Sequence, residues 1–361
     1  ENSGAKYDSR SGTREGKAEL MRKLNYSTLF LGTSRTENGL NPESIWLNGE
    51  PAFNAGLPAC GIEEAEIVLR YAMDHRTLNR VVIQLDLVLF GNPFAGKAGF
   101  EGSRFHPDLN LAQYYAQALV SYSATKYSWR VIENALRDKH SSYTIRGWKH
   151  TFEGGSLPPR ARFDVIFWGY LQPETGTYRR LQYQPERLEA LRRIIQLCRD
   201  NDIELTMAFS PIHATLIESI RSVGLWESFE RMKRDVTMLA NDEWPAAAVW
   251  DFAVVSPYTA EPIEPPEGQK FSPYYVEAAH FTGALGDLVL RRTIGDEIPE
   301  DFGVRLSPEV IDDHLARARI LRDQWAEQNP IEVERLRAMI DGTPPFKLPP
   351  IQSTTSPLSR N

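Results

Sequence analysis

Cysteine is nearly absent from this sequence. Only Cys60 and Cys198 occur in 361 residues, and neither lies in a metal-ligand spacing. That excludes a disulfide scaffold, a zinc ribbon and an iron–sulfur site. Long hydrophobic runs are absent as well. The longest candidate, Val81 to Phe90, is interrupted by Gln84 and Asp86 and falls short of the ~18 residues of a membrane span. There is no basic surplus either. Lys and Arg total 41 against 48 Asp and Glu, a net charge of −7. A nucleic-acid partner is therefore not expected, because neutralising phosphates takes positive charge. No Gly-x-Gly-x-x-Gly or Walker pattern occurs, which argues against a nucleotide-binding α/β protein. Nothing implies a metal or another cofactor.

What is present is ordinary globular composition, 42% hydrophobic and 25% charged, enough to bury a core. At ~150 residues per domain the length allows two domains or one α/β domain with insertions. Residues 1–24 read as a polar, glycine-rich lead-in. Tyr26–Leu31, Val81–Phe90, Ile203–Phe209 and Ala246–Phe252 read as strands. Helical spacing marks 61–73, 111–136, 188–198, 227–239 and 283–294. This alternation predicts an α/β fold with a central parallel sheet, spanning 25–296. A polar insertion is expected at about 140–162, a C-terminal helical extension at 297–341, and an extended or disordered tail at 342–361 with five prolines. The sequence starts at Glu1 rather than Met, which fits removal of an upstream signal or anchor and equally fits cloning residues at the start.

In parallel sheets, ligand sites lie beyond the carboxyl ends of strands. Ser34 follows the first strand, in Leu31-Gly32-Thr33-Ser34-Arg35. Gly32 permits a tight turn there, and a serine becomes a nucleophile only beside a base. The Gly-x-Ser-x-Gly elbow is not matched, since Thr36 replaces the second glycine. Glu277 precedes His280 by three residues, a spacing at which a carboxylate can orient an imidazole. Asp251, at another strand end, is the rival orienting acid. His213, in Phe209-Ser210-Pro211-Ile212-His213, is a further site candidate, with capping or packing as its plainer role.

Taken together, Gly32-Thr33-Ser34 and Glu277-x-x-His280 resemble the SGNH (GDSL-like) hydrolases and acyltransferases. The likeness is closest to the extracytoplasmic branch that includes alginate acetylation and D-alanyl transfer proteins. Phe53-Asn54-Ala55-Gly56-Leu57-Pro58-Ala59 resembles the second family block, and Val82-Ile83-Gln84-Leu85-Asp86-Leu87 takes the place of the third. The resemblance implies an SGNH-like three-layer fold. It implies Ser34 as nucleophile, His280 as base and Glu277 as orienting acid. Asn54, Arg35, Asp86 and His213 fall in the implied oxyanion and substrate-binding set. The second block normally supplies a glycine N–H five positions after its Asn. Ala59 stands there, with Gly61 or Gly56 as alternatives. The third block normally supplies an Asn side chain, but Asp86 only accepts when ionised.

The resemblance further implies acyl-ester chemistry on a carbohydrate through an acyl-serine. This would be O-acetyl transfer to, or removal from, an extracellular polysaccharide. The implied partners are a polysaccharide or acyl-sugar and a membrane-bound acyl donor. The implied location is periplasmic or extracellular, with any membrane attachment upstream of Glu1. The alternative is a catalytically silent module of the same fold that binds polysaccharide or organises an export complex.

Overall fold

The computed structural model describes residues 12–91, 103–105, 142–150, 157–267, 272–294 and 302–345. Its strands are β1 (Thr28–Leu31), β2 (Ala52–Asn54), β3 (Arg80–Leu85), β4 (Glu204–Phe209), β5 (Ala248–Asp251), β6 (Tyr275–Glu277), β7 (His280–Phe281) and β8 (Val304–Leu306). Six of them form one sheet in the order β2-β1-β3-β4-β5-β8. The first five are parallel, and β8 runs antiparallel on β5. The remaining two, β6 and β7, form a separate antiparallel hairpin. The chain is thus α/β with a central, mostly parallel sheet, as its patterning predicts.

Alternation along the strands divides the core. Leu29, Leu31, Val81, Ile83 and Phe53 enter a large apolar cluster on one side. Phe30, Val82 and Ala52 enter a second cluster, which Leu290 joins from the helix Gly283–Ile294. The helices Ile62–His75, Leu188–Asp200 and Trp226–Glu243 pack in a row, and their apolar stripes join the large cluster. Each fully buried Val or Ile contributes roughly 1.5–3 kcal/mol of burial free energy.

The strand order fixes where a site can form. From β1 the chain moves to β2 on one flank, then returns past β1 to β3 on the other. The winding direction reverses between β1 and β3, and such a switch point opens a crevice at the carboxyl ends of the strands. Ser34 follows β1 and Asp86 follows β3, so both lie at that crevice.

Several boundaries differ from expectation. The apolar run 81–90 is not one strand. It ends at Leu85, and Leu87–Gly91 turns helical because the Asp86 carboxylate caps the Leu89 N–H at 3.0 Å. The lead-in contains regular structure. Arg14–Lys23 is a helix that buries Lys17, Ala18 and Met21. Within the expected insertion, Tyr143 bridges Lys149, and the helix Pro159–Leu171 begins before residue 162. The C-terminal extension is not separate from the main domain, because β8 lies within it and completes the sheet edge. Two helices follow, Ile311–Gln328 and Pro330–Ile340. The expected helix 111–136 and the tail beyond 345 lie outside the described residues. Among the described residues, no helix is long and apolar enough to cross a membrane.

Candidate active site

Ser34 is the first residue of the short helix Ser34–Gly39, whose N-cap is Thr33. The turn into it requires Gly32, with φ of +138°. A Cβ there would lie 2.2 Å from the Thr36 hydroxyl and 2.8 Å from the Gln84 carbonyl. The strand therefore reverses tightly and presents Ser34, partly exposed among buried neighbours.

His280 reaches Ser34 from the far end of the chain. Its Nε2 lies 2.8 Å from Ser34 Oγ. On the other side of the ring, Nδ1 contacts Glu277 Oε1. Glu277 and His280 do not share a helical turn. They pair across the β6–β7 hairpin, with Ala278 and Ala279 as the connection. The other oxygen of Glu277 accepts the Ala279 N–H at 2.7 Å, which fixes the carboxylate. A serine hydroxyl, an imidazole and a carboxylate thus form one continuous relay.

Asp251 takes no part in that relay. It is fully buried at the end of β5, 2.6 Å from Lys233 Nζ and 2.8 Å from His314 Nε2. Burial opposes its charge, but Lys233 and His314 overcome that and hold its carboxyl well below the usual range. The acid beside His280 is Glu277.

Asp86 is an acceptor and is fully engaged. Its Oδ2 takes the Thr33 hydroxyl at 2.7 Å and the Arg35 guanidinium at 2.5 Å. Arg35 is only 3% exposed. Besides Asp86, its Nε donates to the Ala279 carbonyl at 3.2 Å and its Nη2 lies 3.5 Å from the Tyr170 hydroxyl. Burial alone would lower the Arg35 pKa, but Asp86 outweighs it and the group stays cationic. Arg35 and Asp86 therefore compensate each other and tie the Ser34 helix to the His280 hairpin. Neither is open to substrate.

The second block behaves similarly. Asn54 is buried, and its amide donates to the Thr36 and Leu40 carbonyls, both at 2.7 Å, while its Oδ1 accepts the Gly56 N–H at 2.9 Å. Asn54 thus braces the Ser34 helix, and the Gly56 N–H is not free. The Leu57 N–H donates to the Gly32 carbonyl at 2.9 Å. Ala59 is exposed and left-handed, with φ of +55°. That conformation favours glycine. Gly61 is buried and serves as the N-cap of the helix Ile62–His75.

His213 lies behind the hairpin. Its Nδ1 meets Thr215 Oγ1 at 2.7 Å and its Nε2 meets the Glu261 carbonyl at 2.8 Å. Its ring packs edge-on against Phe163 and Tyr275, and burial lowers its pKa to about 4. Its backbone N–H donates to the Ala278 carbonyl at 3.2 Å, between Glu277 and His280. It supports the hairpin from within the core, and both ring nitrogens are occupied.

Sequence reasoning missed Lys17, Glu37, Tyr170 and Trp148. Lys17 Nζ is buried against the Gly56 carbonyl and lies 3.0 Å from Glu37 Oε1. Trp148 Nε1 donates to the Asn38 carbonyl at 2.9 Å. The available signal was the pair of apolar residues Ala18 and Met21 beside Lys17 in a mostly polar lead-in.

Among the described residues, no group of His, Cys, Asp and Glu is placed to hold a metal. No family model matches the chain, and no curated protein does. Among solved structures, a Streptococcus pneumonia protein named as a platelet activating factor is similar over 80% of this chain and 91% of its own. Its TM-score is 0.37 and its identity 12%, and a likeness that distant adds nothing to the reading of the site.

Proposed function

We propose that this chain is a serine-dependent acyl-ester enzyme of the SGNH type. One observation carries the reading: the uninterrupted contact from Ser34 through His280 to Glu277, at a switch point of a parallel sheet. Ser34 Oγ attacks an ester carbonyl while His280 Nε2 takes its proton. Glu277 holds the ring with N–H on Nδ1 and stabilises the imidazolium. The alcohol leaves with that proton. A sugar hydroxyl or water then attacks the acyl-serine and gives its proton to His280, which passes it to Ser34 Oγ as the acyl–serine bond breaks. The substrate class proposed is an O-acetylated carbohydrate outside the cytoplasm, with a membrane-bound donor if the reaction is transfer. This part rests on the resemblance of the Gly32-Thr33-Ser34 and Glu277-x-x-His280 motifs.

A second reading is a silent module of the same fold. It is favoured by Asp86, which offers no donor to an oxyanion, and by Asn54, whose amide is fully engaged. A fluorophosphonate probe with peptide mapping separates the two. The enzyme reading expects labelling on Ser34, lost in Ser34→Ala and His280→Ala, together with release of p-nitrophenol from p-nitrophenyl acetate. An unlabelled, folded protein without hydrolysis favours the silent module.

A further inference from the structure

A cavity of about 440 Å³ lies away from Ser34, between the loop leaving β5 and the helix Ile311–Gln328. Neither Ser34, Glu277 nor His280 lines it. Its walls are largely apolar, with Val254, Pro257, Leu321 and Trp325 among them, and His314 is part of the lining. Its volume is within the range of pockets that take small organic ligands.

That wall holds a hydrogen-bond acceptor that the protein leaves unmatched. His314 is 7% exposed, and its Nε2 lies 2.8 Å from Asp251 Oδ2. Asp251 is the acceptor of that pair. Against the opposing effect of burial, Lys233 and His314 hold its carboxyl well below the usual range. Lys233 Nζ, 2.6 Å away, supplies its counter-charge, so the ring need not be cationic. A neutral imidazole beside this carboxylate carries its hydrogen on Nε2 and keeps a lone pair on Nδ1. Among the described residues, nothing donates to that Nδ1. A buried acceptor without a donor costs free energy, which a donor on a ligand recovers.

The charges around the cavity narrow the donor. An ammonium would meet Arg317, an exposed residue of the lining, with no carboxylate in the wall to offset it. A carboxylate would meet the Nδ1 lone pair. A neutral hydroxyl does neither. Among hydroxyls, a phenol is the stronger donor because its O–H is the more acidic, yet it stays neutral below a pKa of ~10. Its ring also matches the apolar remainder of the wall.

We propose that this cavity binds a neutral phenol, at a site separate from the Ser34 relay. The phenol O–H donates to His314 Nδ1. The ring lies along Leu321 and Trp325. The inference does not depend on whether Ser34 is a nucleophile.

Isothermal titration of the full chain near neutral pH with 4-ethylphenol tests it. One counterpart is 1-ethyl-4-fluorobenzene, which has nearly the same shape and no donor. The other is 4-ethylbenzoate, which brings a negative charge. The phenol should bind saturably at one site per chain, about tenfold or more tighter than either counterpart. His314→Phe should bind the phenol no more tightly than the fluoro compound. Leu321→Trp, at a half-buried wall position, should abolish binding by filling the cavity. Cooperative unfolding checks that each variant folds, and the three ligands on the unaltered chain decide the matter without either variant. Absence of saturable phenol binding overturns the proposal. So does equal binding of the fluoro compound or of the benzoate. Phenol binding unchanged in folded His314→Phe or Leu321→Trp overturns it as well. Absence of Ser34 labelling in the unaltered chain would instead strike the catalytic reading and leave this one standing.

Discussion

At the residue scale, the site is built from side chains that satisfy one another, and this decides what each substitution does. Glu277→Gln keeps an acceptor for the Ala279 N–H but removes the charge that stabilises an imidazolium. Hydrolysis of p-nitrophenyl acetate should fall by ~10³–10⁴-fold with folding intact. A loss under tenfold would remove Glu277 from the relay. Asp86→Asn restores the side chain that the resembled family carries, yet it should not improve the rate. It leaves Arg35 buried without its counter-charge, and breaking such a pair costs roughly 3–5 kcal/mol. Urea denaturation should show that loss. Ala59→Gly should act oppositely. Its positive φ strains alanine, so glycine should gain up to about 1 kcal/mol while the N–H survives. A destabilised Ala59→Gly would mean that the turn does not strain alanine. That Ser34, Glu277 and His280 would meet was legible because the chemistry they resemble demands those residue types. The roles of Asn54, Arg35 and Asp86 were not. Whether a polar side chain faces substrate or braces its neighbours depends on direction, which spacing does not encode.

At the element scale, the β6–β7 hairpin that carries Glu277 and His280 is held by buried polar groups that titrate in opposite senses. Burial lowers His213 to about 4, against an ordinary value of 6.5. Between those values the unfolded chain binds a proton that the folded chain excludes, so stability falls as pH drops through the window. Glu261 accepts the Tyr274 and Tyr275 N–H groups at the start of β6. Burial raises its pKa from 4.5 to about 7. Between those values the folded chain keeps a proton that the unfolded chain has released, so stability falls as pH rises. Glu261→Gln should therefore gain in melting temperature relative to the unaltered chain between pH 5 and pH 8. His213→Asn, which can still cap the helix Ala214–Ser222, should lose less stability than the unaltered chain between pH 6.5 and pH 4. Differences that do not vary with pH would refute both assignments. Most elements were legible from periodicity. Short ones were not: β2 and the hairpin strands have three residues or fewer, too few to display a period. The helix Arg14–Lys23 was missed because its buried face centres on Lys17, a charge that only its pairing with Glu37 makes compatible with a core.

At the scale of the whole molecule, the alternation of strands and helices revealed the sheet and the edge at which to look for a site. It did not reveal how the sheet ends. The sequence places a domain boundary near residue 296, because helical patterning dominates beyond it. The structure sends Val304–Leu306 back along β5 as an antiparallel edge strand. Three residues carry that connection, and their meaning depends on a partner strand more than 50 positions earlier. His314 adds a second tie, reaching Asp251 from the helix Ile311–Gln328. The C-terminal region is thus part of the sheet's closure rather than an appendage. A chain ending at Ile294 would expose the hydrogen-bonding edge of β5 and leave the Asp251–Lys233 pair without its third member. Open parallel-sheet edges template aggregation. The truncated chain should be insoluble or elute as large assemblies on size exclusion, without a cooperative unfolding transition. A soluble monomer that unfolds cooperatively and is labelled at Ser34 like the full chain would restore the boundary at 296 and reduce β8 to a decoration.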